Sequence, residues 1–215
     1  MNELDTELLA AMMANTALRL AASADELSRI DAVAGDGDHG VNVSAAFADA
    51  SARLTEACPA LPSDVFLVVG RSFSEGGGGS AGALFGAYFA ALGKRLALVA
   101  NPGVGTFAEG LEAGSLRVAE LGRVALGDKT MFDALEPAAL AARDAVTAGG
   151  DLAVLVGAAA EAAGRGAAAT ADMVAKAGRA RYAEAGAVGT RDPGALSVSL
   201  MFAAWEEVVM KGIVK

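Results

Sequence analysis

Val65-Phe66-Leu67-Val68-Val69 is the stretch on which the fold class turns. Its β-branched and aromatic residues suit a strand, yet nothing else in the 215 residues reads as a strand that could pair with it. Ser63, just upstream, can open a helix. Reading the run as helical makes the chain all-α, because everything on either side already carries helical spacing and helix punctuation.

Upstream, Leu4, Leu8, Met12, Leu18, Leu27 and Ile30 recur at roughly helical intervals and predict one long opening helix over about 5–30. Ala34-Gly35-Asp36-Gly37-Asp38-His39-Gly40 cannot continue it cheaply and reads as a loop. A second helix is expected over about 41–57, stopped by Pro59 and Pro62.

Downstream, the glycine cluster 75–79 leads into an apolar helix from about Ala81. Thr106-Phe107-Ala108-Glu109 matches a capping box, so a helix is expected to start there and end near Gly122. Gly127-Asp128-Lys129-Thr130 is the next turn, followed by a helix with Pro137 near its middle or at a break. Ala-rich helices are expected over about 151–163 and 167–185. Asp192-Pro193-Gly194 reads as an N-cap with proline in the first helical position, opening a last helix with Leu196, Leu200, Ala204 and Val208 on one face. The expectation is about eight helices, no sheet and no internal repeat.

The length fits a single domain spanning 1–215. Of the residues 54% are hydrophobic but only 5% aromatic, which predicts a core packed by small side chains at close helix approach. The mean hydropathy of +0.43 raises the question of membrane insertion, and 81–100 is the most apolar stretch. Lys94 and Arg95 interrupt it, and with the glycines at 82, 86 and 93 they favour a buried helix over a span. The acidic start Met-Asn-Glu-Leu-Asp-Thr-Glu does not resemble a secretory signal, and the lone Cys58 fits a reducing compartment, so a cytoplasmic protein is expected. A net charge of -9 argues against nucleic acid as a partner. An acidic chain that binds a phosphorylated small molecule needs a cation or aimed backbone amides.

Asp31, Asp36 and Asp38 lie within eight residues, the last two among glycines. Converging carboxylates repel unless a cation sits among them, and oxygen-only ligands select a hard ion such as Mg²⁺. Taken singly, each Asp-Gly would be a cap or turn residue. His39, the sole histidine, admits three roles: metal ligand, phosphate carrier, or a group that fixes the loop and touches a nucleotide. The last is favoured. Gly76 to Gly82 enters a helix directly, the geometry that lets amides and the positive helix end meet a phosphate, although a flexible linker or close packing explains the run equally well. No Gly-Lys-Ser/Thr closes it, so it is not a Walker A loop. Lys129, Met131, Arg179 and Arg181 stand where they could meet phosphates and base, but ordinarily such residues are surface charge and core.

Taken in order, Asp31 with Gly35-Asp36-Gly37-Asp38-His39-Gly40-Val41-Asn42, Gly78-Gly79-Ser80-Ala81-Gly82-Ala83-Leu84-Phe85-Gly86, Gly127-Asp128-Lys129-Thr130-Met131, Gly178-Arg179-Ala180-Arg181-Tyr182 and Asp192-Pro193-Gly194-Ala195 resemble the nucleotide-binding L subunit of dihydroxyacetone kinase. The likeness spans nearly the whole chain. It implies an antiparallel barrel of eight α-helices that binds ADP or ATP at one end through two Mg²⁺ ions. Asp31, Asp36 and Asp38 would be the Mg²⁺ ligands. Nucleotide contacts would come from His39, Gly40, Val41 and Asn42, from Ser80 and Ala81, from Gly122, Met131 and Arg179, and from Asp192, Pro193 and Gly194.

The implied reaction is phosphoryl transfer to dihydroxyacetone or a similar short ketose, held by a histidine of a separate K subunit, with no nucleophile required in this chain. The implied donor system is either a bound nucleotide rephosphorylated by a phosphohistidine carrier of the phosphoenolpyruvate-dependent system, which is favoured, or exchangeable ATP in a split triose or tetrose kinase. A nucleotide-sensing module without turnover is the competing class, and a homodimer is compatible with either. One departure is visible: Ala81 stands where family members usually carry Ser, which removes a hydroxyl contact there.

Overall fold

The computed structural model describes residues 4–76 and 78–213, and among them the chain forms nine α-helices, three short 3-10 segments and no strand. Val65–Val69 lies inside helix α4 (Pro62–Gly76), where Val65, Phe66, Val69 and Phe73 are buried while Leu67 and Val68 are only partly so. Burial therefore follows the 3.6-residue period of a helix and not the alternation of a strand.

The helices are α1 (Thr6–Ala22), α2 (Ala24–Asp31), α3 (His39–Ala57), α4, α5 (Gly79–Ala97), α6 (Val104–Gly122), α7 (Phe132–Thr147), α8 (Leu152–Ala169) and α9 (Pro193–Ile213). Leaving out the short α2, each packs on the next, and α9 returns to α1, so eight helices close a ring. Contacts fix their sense. Across α4 and α5, Gly93 meets Ser63 while Gly86 meets Ser74; across α1 and α9, Gly212 lies by Leu8 while Trp205 Nε1 donates to Thr16 Oγ1 at 3.1 Å. Both pairs are antiparallel. The expected barrel is the observed fold.

The opening helix is not continuous. It breaks at Ser23 (φ -105°, ψ 5°), and α2 departs to pack on α3. Thr106 does not start a helix: α6 begins at Val104 with Gly103 as an N-cap that makes no side-chain bond, and Glu109 pairs with Arg95 instead. Pro137 sits within α7 without ending it. Proline has no N–H for the Asp133 carbonyl four residues back, and that oxygen faces Gly166 of α8, where a Cβ would lie 2.1 Å from it. The helix expected over 167–185 is absent; after Ala169 the chain passes through 3-10 turns and loops until α9.

Small residues line the seams, as expected, but the barrel interior is aromatic. Phe47, Phe66, Phe73, Phe85, Phe89, Phe107 and Trp205 are buried there in one connected set, with Phe47 edge-on to Phe73 at 4.8 Å. Glycine at the seams and phenylalanine on the axis are complementary, since close backbones leave a narrow interior that flat rings fill. Among the described residues, Leu152–Asp172 is the segment long and apolar enough to cross a membrane, in place of 81–100. In the barrel it lies between α7 and α9 with Leu155, Val156, Ala159 and Ala163 buried.

Candidate functional site

Because the ring alternates in direction, the connections α2–α3, α4–α5, α6–α7 and α8–α9 gather at one end. They enclose a cleft of about 440 Å³. Four helices, α3, α5, α7 and α9, begin at its wall, which turns four positive helix ends and their free amides toward one volume.

Asp31 closes α2, Asp36 lies in the loop, and Asp38 occupies the N-cap position of α3. One carboxylate oxygen from each lies within 4.8 Å of the others. Gly35 and Gly37 permit this. A Cβ at Gly35 would come 2.5 Å from Asp31 Oδ1, and Gly37, at φ +75°, donates its amide to Asp31 Oδ2 at 2.9 Å. Asp38 makes no side-chain capping bond, so capping does not account for its carboxylate. Arg179 reaches across from the 170–192 segment to pair with Asp36. That hydrogen bond holds the Asp36 carboxyl below the usual carboxylate range, against a smaller opposing effect of desolvation. The donor set is all oxygen and suits a hard cation.

His39 is buried, with Nε2 2.8 Å from Ser197 Oγ, whose hydroxyl donates to Pro193 O at 3.0 Å. Burial lowers its pKa, and the charges of Asp31 and Asp38 oppose that. The ring thus ties the start of α3 to the start of α9. Asn42 packs on Gly78, where a Cβ would lie 2.9 Å from its Nδ2, and so joins the starts of α3 and α5.

Asp192 caps α9 by accepting from Ala195 N at 2.7 Å. Although the residue is partly exposed, its carboxyl is tucked against that amide, and desolvation lifts its pKa to about 7. Gly194 fits between Asp192 and Met131, with a Cβ there 3.1 Å from each.

The cleft gathers most of the residues the sequence singled out: Asp31, Asp36, Asp38, His39, Asn42, Ser80, Ala81, Gly122, Met131, Arg179, Asp192, Pro193 and Gly194 all line it. Gly40 and Val41 do not. Gly40 is buried against α2, where a Cβ would lie 1.9 Å from Ala24 O, and Val41 points to solvent at 61% exposure. In the glycine run, Gly78 and Gly79 line the cleft, and Gly77 lies outside the described residues. Arg181 lies over the exposed Tyr182 ring at 4.5 Å and is not in the lining.

Three features escaped the sequence reading. Leu84, Val118, Leu121 and Val124 form an apolar wall. Arg191 pairs with Glu26 at 2.9 Å. Lys129, which the sequence left between phosphate contact and ordinary surface charge, borders the cleft yet is 2% exposed, and burial lowers its pKa against the pull of Asp192 and Asp172. Gly127-Asp128-Lys129-Thr130 marks a turn, but a turn alone does not say that its lysine points inward.

A closed antiparallel barrel of helices with a ligand-sized cleft where alternate helices begin defines a class of all-α domain. Within it, this chain belongs to the DAK2 domain family, which matches residues 33–207. It is 40% identical over 185 residues to the D-erythrulose kinase of Mycolicibacterium smegmatis, covering 84% of this chain and 32% of that protein. It is 32% identical over 180 residues to the ADP-binding subunit DhaL of the PEP-dependent dihydroxyacetone kinase 1 of Listeria innocua, covering 83% of this chain and 84% of that one. The crystal structure of the dihydroxyacetone kinase from C. freundii in complex with AMP-PNP and Mg²⁺ superposes with a TM-score of 0.74 at 28% identity, over 95% of this chain and 34% of that chain. The chain thus spans about a third of the length of the first curated relatives it matches.

Proposed function

We propose that this chain is the nucleotide-binding part of a ketose kinase: it holds ADP or ATP with Mg²⁺ in the cleft and presents the phosphoryl group to dihydroxyacetone or a similar short ketose on a separate K subunit. The observation that carries this is the convergence of Asp31, Asp36 and Asp38 within 4.8 Å on a cleft walled by helix starts. The DhaL subunit of Listeria innocua, of which 84% is covered, and the C. freundii kinase with AMP-PNP and Mg²⁺ point the same way.

In this reading the three carboxylates hold two Mg²⁺ ions, which supply charge neutralisation of the phosphates when bound. The chain's own groups orient the rest. Gly78 to Ala81 offer amides at the start of α5, and Ala81 offers no hydroxyl. Arg179 leaves Asp36 for a phosphate oxygen, Asp192 to Gly194 fix the start of α9, and Leu84, Leu121, Gly122 and Met131 give the base an apolar seat. Positioning does the work, and no side chain here needs to act as nucleophile. The protein is cytoplasmic in this reading.

Two donor systems fit. One is a phosphohistidine carrier that recharges a bound ADP, in line with the PEP-dependent relative; the other is exchangeable ATP, and the erythrulose kinase relatives suggest a four-carbon acceptor. The test combines the purified chain with a K-type subunit and follows ketose phosphate formation from dihydroxyacetone or erythrulose, with MgATP or with phosphoenolpyruvate and its carrier proteins. Product with one donor system assigns it. No product with either favours a nucleotide sensor and refutes the kinase reading.

A further inference from the structure

Residues 170–192 carry Arg179 to the carboxylates, yet they bury almost nothing: Thr170, Ala175, Gly186 and Ala187 are the buried residues among those described. A segment with so little apolar burial has no core of its own to order it. What orders it is polar and sits at its neck. Lys129 Nζ donates to Thr170 O and to Thr190 O, each at 2.6 Å. Beside this bridge Asp192 N donates to Thr170 Oγ1 at 2.9 Å and Gly189 N to Ala171 O at 2.8 Å. Further along, Ala175 N donates to Gly186 O, and Lys176 N to Asp128 O, both at 3.1 Å.

The turn that delivers Lys129 is itself built for the purpose. Buried Asp133 accepts from Gly127 N and from Thr130 N, and the tightened turn puts Lys129 at φ +61°. A non-glycine residue in that region is strained and persists only where its surroundings over-determine it. An ammonium at 2% exposure is tolerable only when its protons are matched. Both carbonyls it finds belong to the two ends of one loop, so the bonds close that loop.

We propose that Lys129, which borders the cleft but directs its Nζ at the two carbonyls of the neck, is the anchor that clamps the 170–192 segment and thereby holds Arg179 and Asp192 at the cleft, acting as a positioning residue. This rests on the nucleotide reading for its second half, while the anchoring stands on the hydrogen bonds alone.

The experiment uses the full chain with Lys129→Met, Lys129→Arg, Lys129→Gln, Thr170→Val and Arg179→Ala. Hydrogen exchange without nucleotide is expected to quicken by about tenfold or more at the amides of 171–192 in Lys129→Met, while the helices stay protected. MgADP affinity is expected to fall by about tenfold or more, and the same change in an Arg179→Ala background to cost much less, since both then remove one function. Lys129→Arg, which can bridge two carbonyls, recovers part of both. Should Lys129→Met fail to fold, Lys129→Gln, whose amide can donate to one of the two carbonyls, must still give a loop-confined acceleration, smaller in size; Thr170→Val, which removes the Thr170 Oγ1 bond to Asp192 N but leaves both Lys129–carbonyl bonds, measures the neck's other bond separately.

Unchanged exchange at 171–192, acceleration spread over all helices, or losses that simply multiply with those of Arg179→Ala each overturn the proposal. The last would make Lys129 a direct ligand contact. If the wild type binds no MgADP, the nucleotide reading fails, and with it the positioning half, whereas the exchange comparison still decides the anchor.

Discussion

Asp38 stands at a helix N-cap and yet makes no side-chain bond to the amides it faces, within 4.8 Å of two other carboxylate partners. Such a residue contributes repulsion to the fold and is explained by what it can hold. Replacing it therefore separates binding from stability by sign. Asp38→Ala and Asp36→Asn are expected to lower Mg²⁺-dependent ADP affinity by about a hundredfold or more in titration calorimetry. Melting without metal should be unchanged or slightly raised in Asp38→Ala, because a like charge is gone, and slightly lowered in Asp36→Asn, which also loses the exposed pair with Arg179; wild-type affinity, or a large loss of thermal stability, contradicts the assignment. These carboxylates were legible in the sequence because they are neighbours along the chain. Lys129 was not, since its partners lie 41 and 61 residues away and nothing local distinguishes a clamped ammonium from a solvated one. Gly40 was named only through the family resemblance, and nothing local in the sequence indicated that its α-carbon packs on α2.

That packing is the element-scale requirement. Asp31 sits at the end of α2, and α2 is held to α3 at Gly40, where a Cβ would meet Ala24 O at 1.9 Å and Ser28 Oγ at 2.7 Å. Gly40→Ala must push the two helices apart. The expected destabilisation is ~1–3 kcal/mol, read in chemical denaturation, with weaker MgADP binding because the carboxylate carried by α2 moves off the other two. Affinity and stability both at wild-type values would show that α2 does not set the geometry. Most helices were visible from apolar period and breakers, since those are local. The break at Ser23 was not, because the leucine spacing runs on across it and only packing against α3 turns α2 aside. The irregular 170–192 stretch was missed for a related reason: its alanines favour helix intrinsically, and the bonds to Lys129 and Asp128 that override the preference come from elsewhere in the chain.

At the scale of the whole molecule two fields oppose one another at the cleft. The chain carries a net charge of -9, and three of its carboxylates face the site, so a bare polyphosphate is repelled. Against this stand four helix ends and Arg179, which is already paired to Asp36. A helix end offers roughly half a charge, acts mainly on groups at its first turn, and is worth about 0.3–1 kcal/mol where exposed, so the helix ends alone do not reverse a full anionic cluster. The balance tips only when cations occupy the carboxylates, which turns the same cluster from repulsive to bridging. Chelation of divalent ions by EDTA is therefore expected to reduce ADP affinity by about a hundredfold or more. Salt then distinguishes this account from a simple loss of one contact. With Mg²⁺ present, added KCl should weaken binding modestly by screening attraction. With EDTA present, the net interaction is repulsive, so the same salt should leave the residual affinity unchanged or raise it. A residual affinity in EDTA that falls steeply as salt is added would mean that fixed positive charge on the protein dominates the site, and the cation-centred account of the cleft would be wrong.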